Sequence, residues 1–491
     1  MATNLPTGPM IAPSDEPGGR RVTGLPDPVV IRQLYLGCLS QASYLVGDAT
    51  TGRAIAVDPR RDVDEILAAA AADGLTIELV VETHFHADFL SGHLELAAAT
   101  GAEIGFGAAG TTEFPSRALA DGEVIDLGGV QVEVLATPGH TPESISLVVR
   151  PSAGADPVAV LTGDTLFIGD VGRPDLLVSA NRSPEEMGAR LHHSLQRLLT
   201  LPDATLVLPA HGAGSACGKA LSTETVSTIG EQRRTNYALA PMDEGAFIAI
   251  VTEGQPTVPA YFGHDAALNR RARPLLDEHD APAPMTLAEV DTAVAAGAVV
   301  VDTRATEDFA AGHLAGSLGV SLGGRFAEQV GALVDPATPI VLVGDAATAA
   351  EAKVRLGRIG FDHVAGALAD VTTVLATHPG RAARLSRLTA AELARRRTEL
   401  GEELQIVDVR NPGEVTAAPL DGARNLPLPA LPRHLDDLDR DRPVVVVCAG
   451  GARSAIASSF LQAQGFRDVS DVLGGTTALG LRAACASSPS P

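Results

Sequence analysis

Thr83-His84-Phe85-His86-Ala87-Asp88-Phe89-Leu90-Ser91-Gly92-His93 is the stretch on which the reading of this chain turns. It follows an apolar run, Ile77 to Val81, that reads as a buried strand passing into a loop. Two histidines and an aspartate at alternate positions past a strand end can present ligands to one metal ion. Imidazole with carboxylate suits zinc, iron or manganese alike, so residue chemistry alone leaves the metal open.

The same placement recurs downstream. Val124 to Leu135 reads as two short strands split by Gly128-Gly129 and leads into Thr137-Pro138-Gly139-His140-Thr141. A strand from Val158 to Thr162 ends in Gly163-Asp164-Thr165-Leu166-Phe167, and Leu206-Val207-Leu208 runs into Pro209-Ala210-His211-Gly212. In each case an apolar strand ends and a His or Asp stands at the turn, so the ligands can meet at one edge of a sheet on loops held by a rigid scaffold. Between these points, Tyr44–Val46 and Ala54–Asp58 read as a hairpin, and Val63–Ala72, Leu94–Thr100, Pro184–Leu199, Thr223–Leu239, Glu244–Glu253 and His264–Arg273 as helices.

Bulk composition narrows the classes. At 491 residues the chain is too long for one core. Hydrophobic residues at 45% and charged residues at 20% describe a globular balance. Lys+Arg 37 against Asp+Glu 60 gives a net charge of −23, which repels nucleic acid and anionic lipid, and 3% aromatics with no Trp provide no stacking platform. No apolar stretch is long enough to span a bilayer, and the first 21 residues lack the apolar core of a signal peptide. Four scattered cysteines do not make a disulfide scaffold. The expectation is a cytoplasmic protein without nucleic-acid or membrane partners, and a homo-oligomer.

The order of the motifs resembles the metallo-β-lactamase superfamily over Val29 to Ala272, which implies an αβ/βα sandwich with a metal site at one edge. Within it, the strings Thr83 to Asp88, Thr137 to Thr141, Gly163 to Ile168, Gly169-Asp170-Val171-Gly172-Arg173-Pro174-Asp175 and Pro209 to Lys219 look like the persulfide dioxygenase branch. That resemblance implies one Fe(II) per chain on His84, His140 and Asp164, with zinc as the alternative. A superfamily member that holds two zinc ions usually has a histidine directly after the motif aspartate; here Phe89 stands there, and a phenyl ring cannot ligate. The second site then has at best Asp88 and His211 beside Asp164. Two His and one carboxylate with open positions is also the pattern of oxygen-activating ferrous enzymes. His86, Asp88, Arg173 and His211 become candidates for holding the ligands or touching substrate; for His86, Asp88 and His211, loop-stabilising hydrogen bonds account for them equally well.

The C-terminal part repeats with a period of about 105 residues, right for a duplicated small domain. Val299 to Arg304 corresponds to Gln405 to Arg410, Pro339 to Val343 to Pro443 to Val447, and Gly360-Phe361-Asp362-His363-Val364 to Gly465-Phe466-Arg467-Asp468-Val469. Strands alternating with helical stretches argue a mostly parallel sheet in each copy. In the second copy, a fully apolar strand ends at Cys448-Ala449-Gly450-Gly451-Ala452-Arg453-Ser454, with a helix starting near Ser454. Backbone N–H groups in a Gly-rich turn and the positive end of a helix dipole favour a thiolate there, and Arg453 adds a cation for an anionic sulfur substrate.

This loop resembles that of the rhodanese family, Cys-x-x-Gly-x-Arg. Both copies match the family's Asp-x-Arg strand end, but Ala418-Pro419-Leu420-Asp421-Gly422 stands where a Gly-His-Ile-x-Gly turn is usual. The first copy keeps Gly312-His313-Leu314-Ala315-Gly316 and lacks the nucleophile, since no Cys lies between Cys217 and Cys448. The expected organisation is α/β multidomain: a leader over 1–28, a metallo-β-lactamase-fold dioxygenase domain over 29–273, a linker over 274–284, an inactive rhodanese-like domain over 285–380 and an active rhodanese domain over 385–485.

The expected activity is oxidation of a low-molecular-weight thiol persulfide by O2 to sulfite, coupled to sulfane-sulfur transfer through Cys448 to or from sulfite and thiosulfate. Cys217, shortly after His211, is a candidate accessory thiol. The alternatives are a glyoxalase II-like binuclear zinc thioester hydrolase and a non-catalytic sulfur-carrier scaffold.

Overall fold

The computed structural model of the chain describes residues 18–176 and 183–481. Most of the span read as a leader, and Cys485 within the last domain, lie outside these residues. The chain divides into two compact units, one running to Gln255 and including Phe262–Leu276, the other made of Pro256–Tyr261 and the residues from Asp277 onward.

The first unit is built on two facing sheets. One has seven strands in the order Arg20–Arg21, Val29–Leu36, Gln41–Asp48, Arg53–Val57, Thr76–Glu82, Glu103–Gly107 and Arg117–Leu119. Arg20–Arg21, inside the span read as leader, pair with Gln33 and Arg32 at its edge. The other has six, in the order Ser227–Thr228, Leu206–Pro209, Ala159–Gly163, Ile145–Arg150, Gln131–Ala136 and Val124–Asp126.

Side chains of a strand alternate between faces, and here both faces are apolar, which is why the strands read as near-continuous hydrophobic runs. Val46, Val57, Leu79 and Val81 of the first sheet meet Val132, Leu147, Val149 and Leu161 of the second in one inner core. The alternate residues face outward under helices. Leu45, Ala56 and Val80 pack on Ile66 and Ala69 of helix Asp64–Ala72 and on Leu96 of helix His93–Thr100. Val148, Val160 and Val207 pack on Leu191, Leu195 and Leu198 of helix Pro184–Leu198 and on Phe247 and Val251 of helix Glu244–Thr252. The layers are therefore helix, sheet, sheet, helix.

One expected helix is shorter than read. The segment Thr223–Leu239 is helical only over Ile229–Thr235, with a single 3₁₀ turn at Tyr237–Leu239. Ser227–Thr228 instead extends the second sheet beside Leu206 and Val207, and Thr225 exchanges hydrogen bonds with the buried Gln33. Tertiary pairing overrides weak helix propensity in this Thr/Ser-rich stretch. Thr228 then caps the real helix by accepting from the backbone N–H of Glu231. Likewise the last helix of this unit is Phe262–Leu268.

The second unit holds two parallel sheets of matching order. The first runs Leu318–Gly319, Val299–Asp302, Ile340–Val343, Val364–Leu368, with Pro284 adding a single parallel bridge to Ala367. The second runs Ala423–Asn425, Gln405–Asp408, Val444–Val447, Val469–Val472, Ser386–Leu388. The Asp-x-Arg element has one structural use in both. Arg304 clasps Asp302 and donates to the carbonyl of Gly312 at 2.8 Å, and Arg410 clasps Asp408 and donates to that of Ala418 at 2.8 Å. Ala418 thus does through its carbonyl what Gly312 does, so the departure from Gly-His at this turn leaves the clamp intact.

No helix among the described residues is long and apolar enough to cross a membrane.

Candidate metal centre and sulfur-transfer loop

Four strand ends of the first unit deliver the candidate ligands. Asp164 follows strand Ala159–Gly163, His84 follows Thr76–Glu82, His140 follows Gln131–Ala136 and His211 follows Leu206–Pro209. Two glycines let these turns close on one another. Gly163 has φ +50°, and a Cβ there would meet Thr83 Oγ1 at 2.7 Å; one on Gly172 would meet the carbonyl of Asp164 at 1.8 Å.

His84, His140 and Asp164 come together, with ligand atoms all within 4.8 Å of one another and every side chain buried. Asp164 Oδ2 is 3.4 Å from His140 Nε2 and 3.8 Å from His84 Nε2, and it has no hydrogen-bond partner. A buried carboxylate oxygen left bare beside two imidazole nitrogens is costly unless a cation completes it.

The other atoms of the three side chains are tied. His140 Nδ1 must donate, because its partner at 2.9 Å is the carbonyl of Arg173. Thr83 Oγ1 donates to Asp58 Oδ2 at 2.9 Å and so accepts from His84 Nδ1 at 3.0 Å. Both imidazoles therefore present an Nε2 lone pair to the same point, the arrangement in which outer partners fix the tautomer of metal-binding histidines. Burial pushes the His84 ring well below its usual value, with His86 adding to the effect, and burial likewise lowers His140 despite Asp164. Burial works against ionisation of Asp164, but His211 and then His84 outweigh it and hold the carboxyl far below its usual range. Neutral imidazoles and a charged carboxylate fit a divalent cation.

The remaining candidates sort into two neighbouring groups. His211 bridges two carboxylates, Nδ1 to Asp164 Oδ1 at 2.7 Å and Nε2 to Asp88 Oδ2 at 2.8 Å. Asp88, His211 and the buried Cys217 form a second group of potential ligands. Burial, with the Asp88 and Asp164 charges, pushes the Cys217 thiol well above its usual value. His86 forms a third such group with Asp58 and Glu82: its Nε2 lies 3.1 Å from Asp58 Oδ1 and 3.6 Å from Glu82 Oε2, while the fully buried Phe89 packs on its ring at 4.4 Å. Arg173 is engaged by Asp175 at 2.6 Å and by the carbonyl of Ala216, and its N–H donates to the carbonyl of Cys217, so it braces the loop that carries that thiol.

Three positions that sequence reasoning passed over shape this loop. Asn269, fully buried, donates to the carbonyls of His86 and Phe89 and accepts from the N–H of Ser91. Asp58, at φ +48°, accepts from both the N–H and hydroxyl of Thr83. Glu82 lies between His86 and His93, with His93 Nδ1 at 3.3 Å, and burial beside Asp58 raises its carboxyl well above the usual range. Asp58 stands just past an apolar strand, but its partner Thr83 is 25 residues further on, directly after the end of the next strand.

In the second unit Cys448 stands at the end of strand Val444–Val447, buried. The N–H of Gly451, which has φ +98° and caps helix Ala452–Ala463, donates to Sγ at 3.1 Å, and Ser454 Oγ lies 3.4 Å away. The helix begins two residues earlier than the sequence suggests, so the cap itself reaches the sulfur. Arg453 makes two hydrogen bonds of 2.7 Å to Glu414, a residue not anticipated. In the first copy, strand Ile340–Val343 is followed after Gly344 by Asp345, which caps helix Ala346–Gly357 by accepting from Thr348 N–H at 2.8 Å. That loop is shorter and holds neither thiol nor arginine.

A metallo-β-lactamase superfamily model matches residues 36–211 and a rhodanese-like domain model residues 389–480. The hydroxyacylglutathione hydrolase of Rhodospirillum rubrum is 31% identical over 231 residues, covering 46% of this chain and 80% of that protein. The mitochondrial persulfide dioxygenase ETHE1 of Bos taurus is 30% identical over 227 residues, covering 45% of this chain and 81% of its own length. A crystal structure of a metallo-β-lactamase from Staphylococcus aureus subsp. aureus COL superposes with a TM-score of 0.64 at 33% identity, over 70% of this chain and 99% of that one. The chain spans about half the length, 54%, of the beta-lactamase hydrolase-like protein of Xylella fastidiosa, to which it is 31% identical. The chain belongs to the metallo-β-lactamase superfamily and carries a rhodanese-like domain at its C-terminal end.

Proposed function

We propose that the chain is an Fe(II)-dependent persulfide dioxygenase joined to a rhodanese, oxidising a low-molecular-weight thiol persulfide to sulfite and moving sulfane sulfur through Cys448. The observation that carries this reading is the bare Asp164 Oδ2 facing His84 and His140, while the Nε2 of His86 faces Asp58 and Glu82. Three ligands, two imidazoles and one carboxylate, leave open positions, as in ferrous oxygenases. A ferrous ion held there supplies the oxygen-activating chemistry when bound.

The chain's residues do the rest. His211 holds Asp164 by Oδ1, Thr83 and Arg173 hold the imidazoles, and the buried Phe89, packed on the His86 ring, offers no ligand atom where a second-site histidine would stand. Balanced, the reaction takes persulfide, O2 and water to thiol and sulfite. At the second site Gly451 N–H and the helix N-terminus stabilise sulfur anions on Cys448, which carries sulfur as a covalent persulfide. The first rhodanese-like copy, without a thiol, serves as structure or as an interaction surface.

A binuclear zinc thioester hydrolase is the second reading, supported by the Asp88–His211–Cys217 group beside Asp164. Metal analysis combined with activity over glutathione and coenzyme A persulfides tests the choice. Sulfite formation dependent on iron and air upholds the dioxygenase; thioester hydrolysis with zinc, and no sulfite, contradicts it.

A further inference from the structure

We infer that Glu414 is a positioning and specificity-determining residue of the sulfur-transfer loop, which disfavours dianionic occupants of the Cys448 site relative to monoanionic ones. This rests on the rhodanese activity proposed above.

Arg453 is the cation of the Cys448 loop, and both its donors used in the ion pair are spent on Glu414 at 2.7 Å each. The two side chains are 28% and 35% exposed, so the pair is only partly screened by solvent. Glu414 is anchored: its Oε2 also accepts from the N–H of Asn411 at 2.9 Å at the start of helix Pro412–Ala417. The neighbouring Arg410 is neutralised by Asp408 at 2.6 Å. The charged groups Asp408, Arg410, Glu414 and Arg453 therefore sum to zero, and an incoming anion meets an arginine whose charge is already paired with a carboxylate.

The repeat within the chain supplies an internal comparison. Counting six residues from the Asp of each Asp-x-Arg element, Asp308 occupies the position of Glu414. The second helical residue after the loop is Ala347 where the active copy has Arg453. The bidentate pair is present where there is a thiol and absent where there is none.

The step concerned is transfer from Cys448 persulfide to sulfite. The sulfite lone pair attacks the outer sulfur, the S–S bond breaks, and its electron pair returns to Cys448 as thiolate. The single negative charge of the persulfide and the two of sulfite end as one on the thiolate and two on thiosulfate, with no net oxidant required. Sulfite and thiosulfate are both dianions, so Glu414 weighs against each of them relative to a monoanionic sulfur compound.

Charge dependence separates this from a merely structural role. A dianion interacts with the Glu414 charge twice as strongly as a monoanion, so the fold-change for one is the square of that for the other. With cyanide as acceptor, E414Q is expected to lower the KM for thiosulfate about tenfold and for the monoanion methanethiosulfonate about threefold. E414D, which keeps the charge, should retain the wild-type ratio of the two KM values. Equal factors for both donors, or a rise in both KM values, would overturn the inference. Persulfide on Cys448, read by mass, distinguishes the levels: if wild-type protein forms none from either donor, the rhodanese reading falls and this inference with it.

Discussion

His211 Nδ1 stands 2.7 Å from Asp164 Oδ1, which leaves Oδ2 bare toward His84 and His140. One carboxylate thus divides its oxygens between an orienting histidine and the candidate metal position. Replacing His211 with Ala removes the orienting bond while leaving all three proposed ligands in place. Iron affinity, measured against a competing chelator, should fall about 10–100-fold, the usual cost of losing a partner behind a ligand.

The Thr83 hydroxyl links His84 to Asp58. Thr83→Val keeps the shape and breaks the link, so the same competition assay should again show a loss on the order of 10–100-fold, whereas Thr83→Ser should hold near wild type. Equal affinities for the two variants would show that the hydroxyl does not orient the ring.

Glu95 is buried between Arg61 at 2.8 Å and Arg273 at 2.6 Å. Burial raises its carboxyl, but Arg273 and then Arg61 outweigh this and leave it below its ordinary value of 4.5. A carboxyl depressed in the folded state stabilises above its unfolded pKa, and that stability is lost as pH falls through the folded one. Glu95→Gln strands two buried guanidiniums and should cost about 3–5 kcal/mol in denaturant unfolding at neutral pH. The penalty should shrink progressively in acid, below the ordinary carboxylate range.

Cys448→Ser should abolish sulfur transfer and spare oxygen uptake, while His84→Ala should do the reverse. Rhodanese and oxygen-electrode assays on the two variants read this directly. Loss of both activities in either variant would contradict a division of labour between two sites.

Much of this was legible in the sequence because the information is local. Strands buried on both faces announce themselves as apolar runs, and each proposed ligand sits in its own short string at a strand end. Cys448 and Arg453 lie in one loop. What escaped needed side-chain direction or distant partners. His86 reads like a ligand beside His84, and only the fold turns it to Asp58 and Glu82. Asn269 clamps the metal loop from about 180 residues away, a separation no local pattern encodes. Glu414 looks like an ordinary capping-box glutamate, which it also is. The expected helix over Thr223–Thr228 is absent for the same reason, since Gln33 and the edge of the second sheet claim that segment.

The most direct measurement of the central claim is oxygen uptake by anaerobically iron-loaded protein given glutathione persulfide. The mononuclear reading of His84, His140 and Asp164 predicts rapid uptake equimolar with sulfite formed, abolished in His84→Ala. Absence of uptake, together with thioester hydrolysis by protein holding a pair of zinc ions, would contradict it.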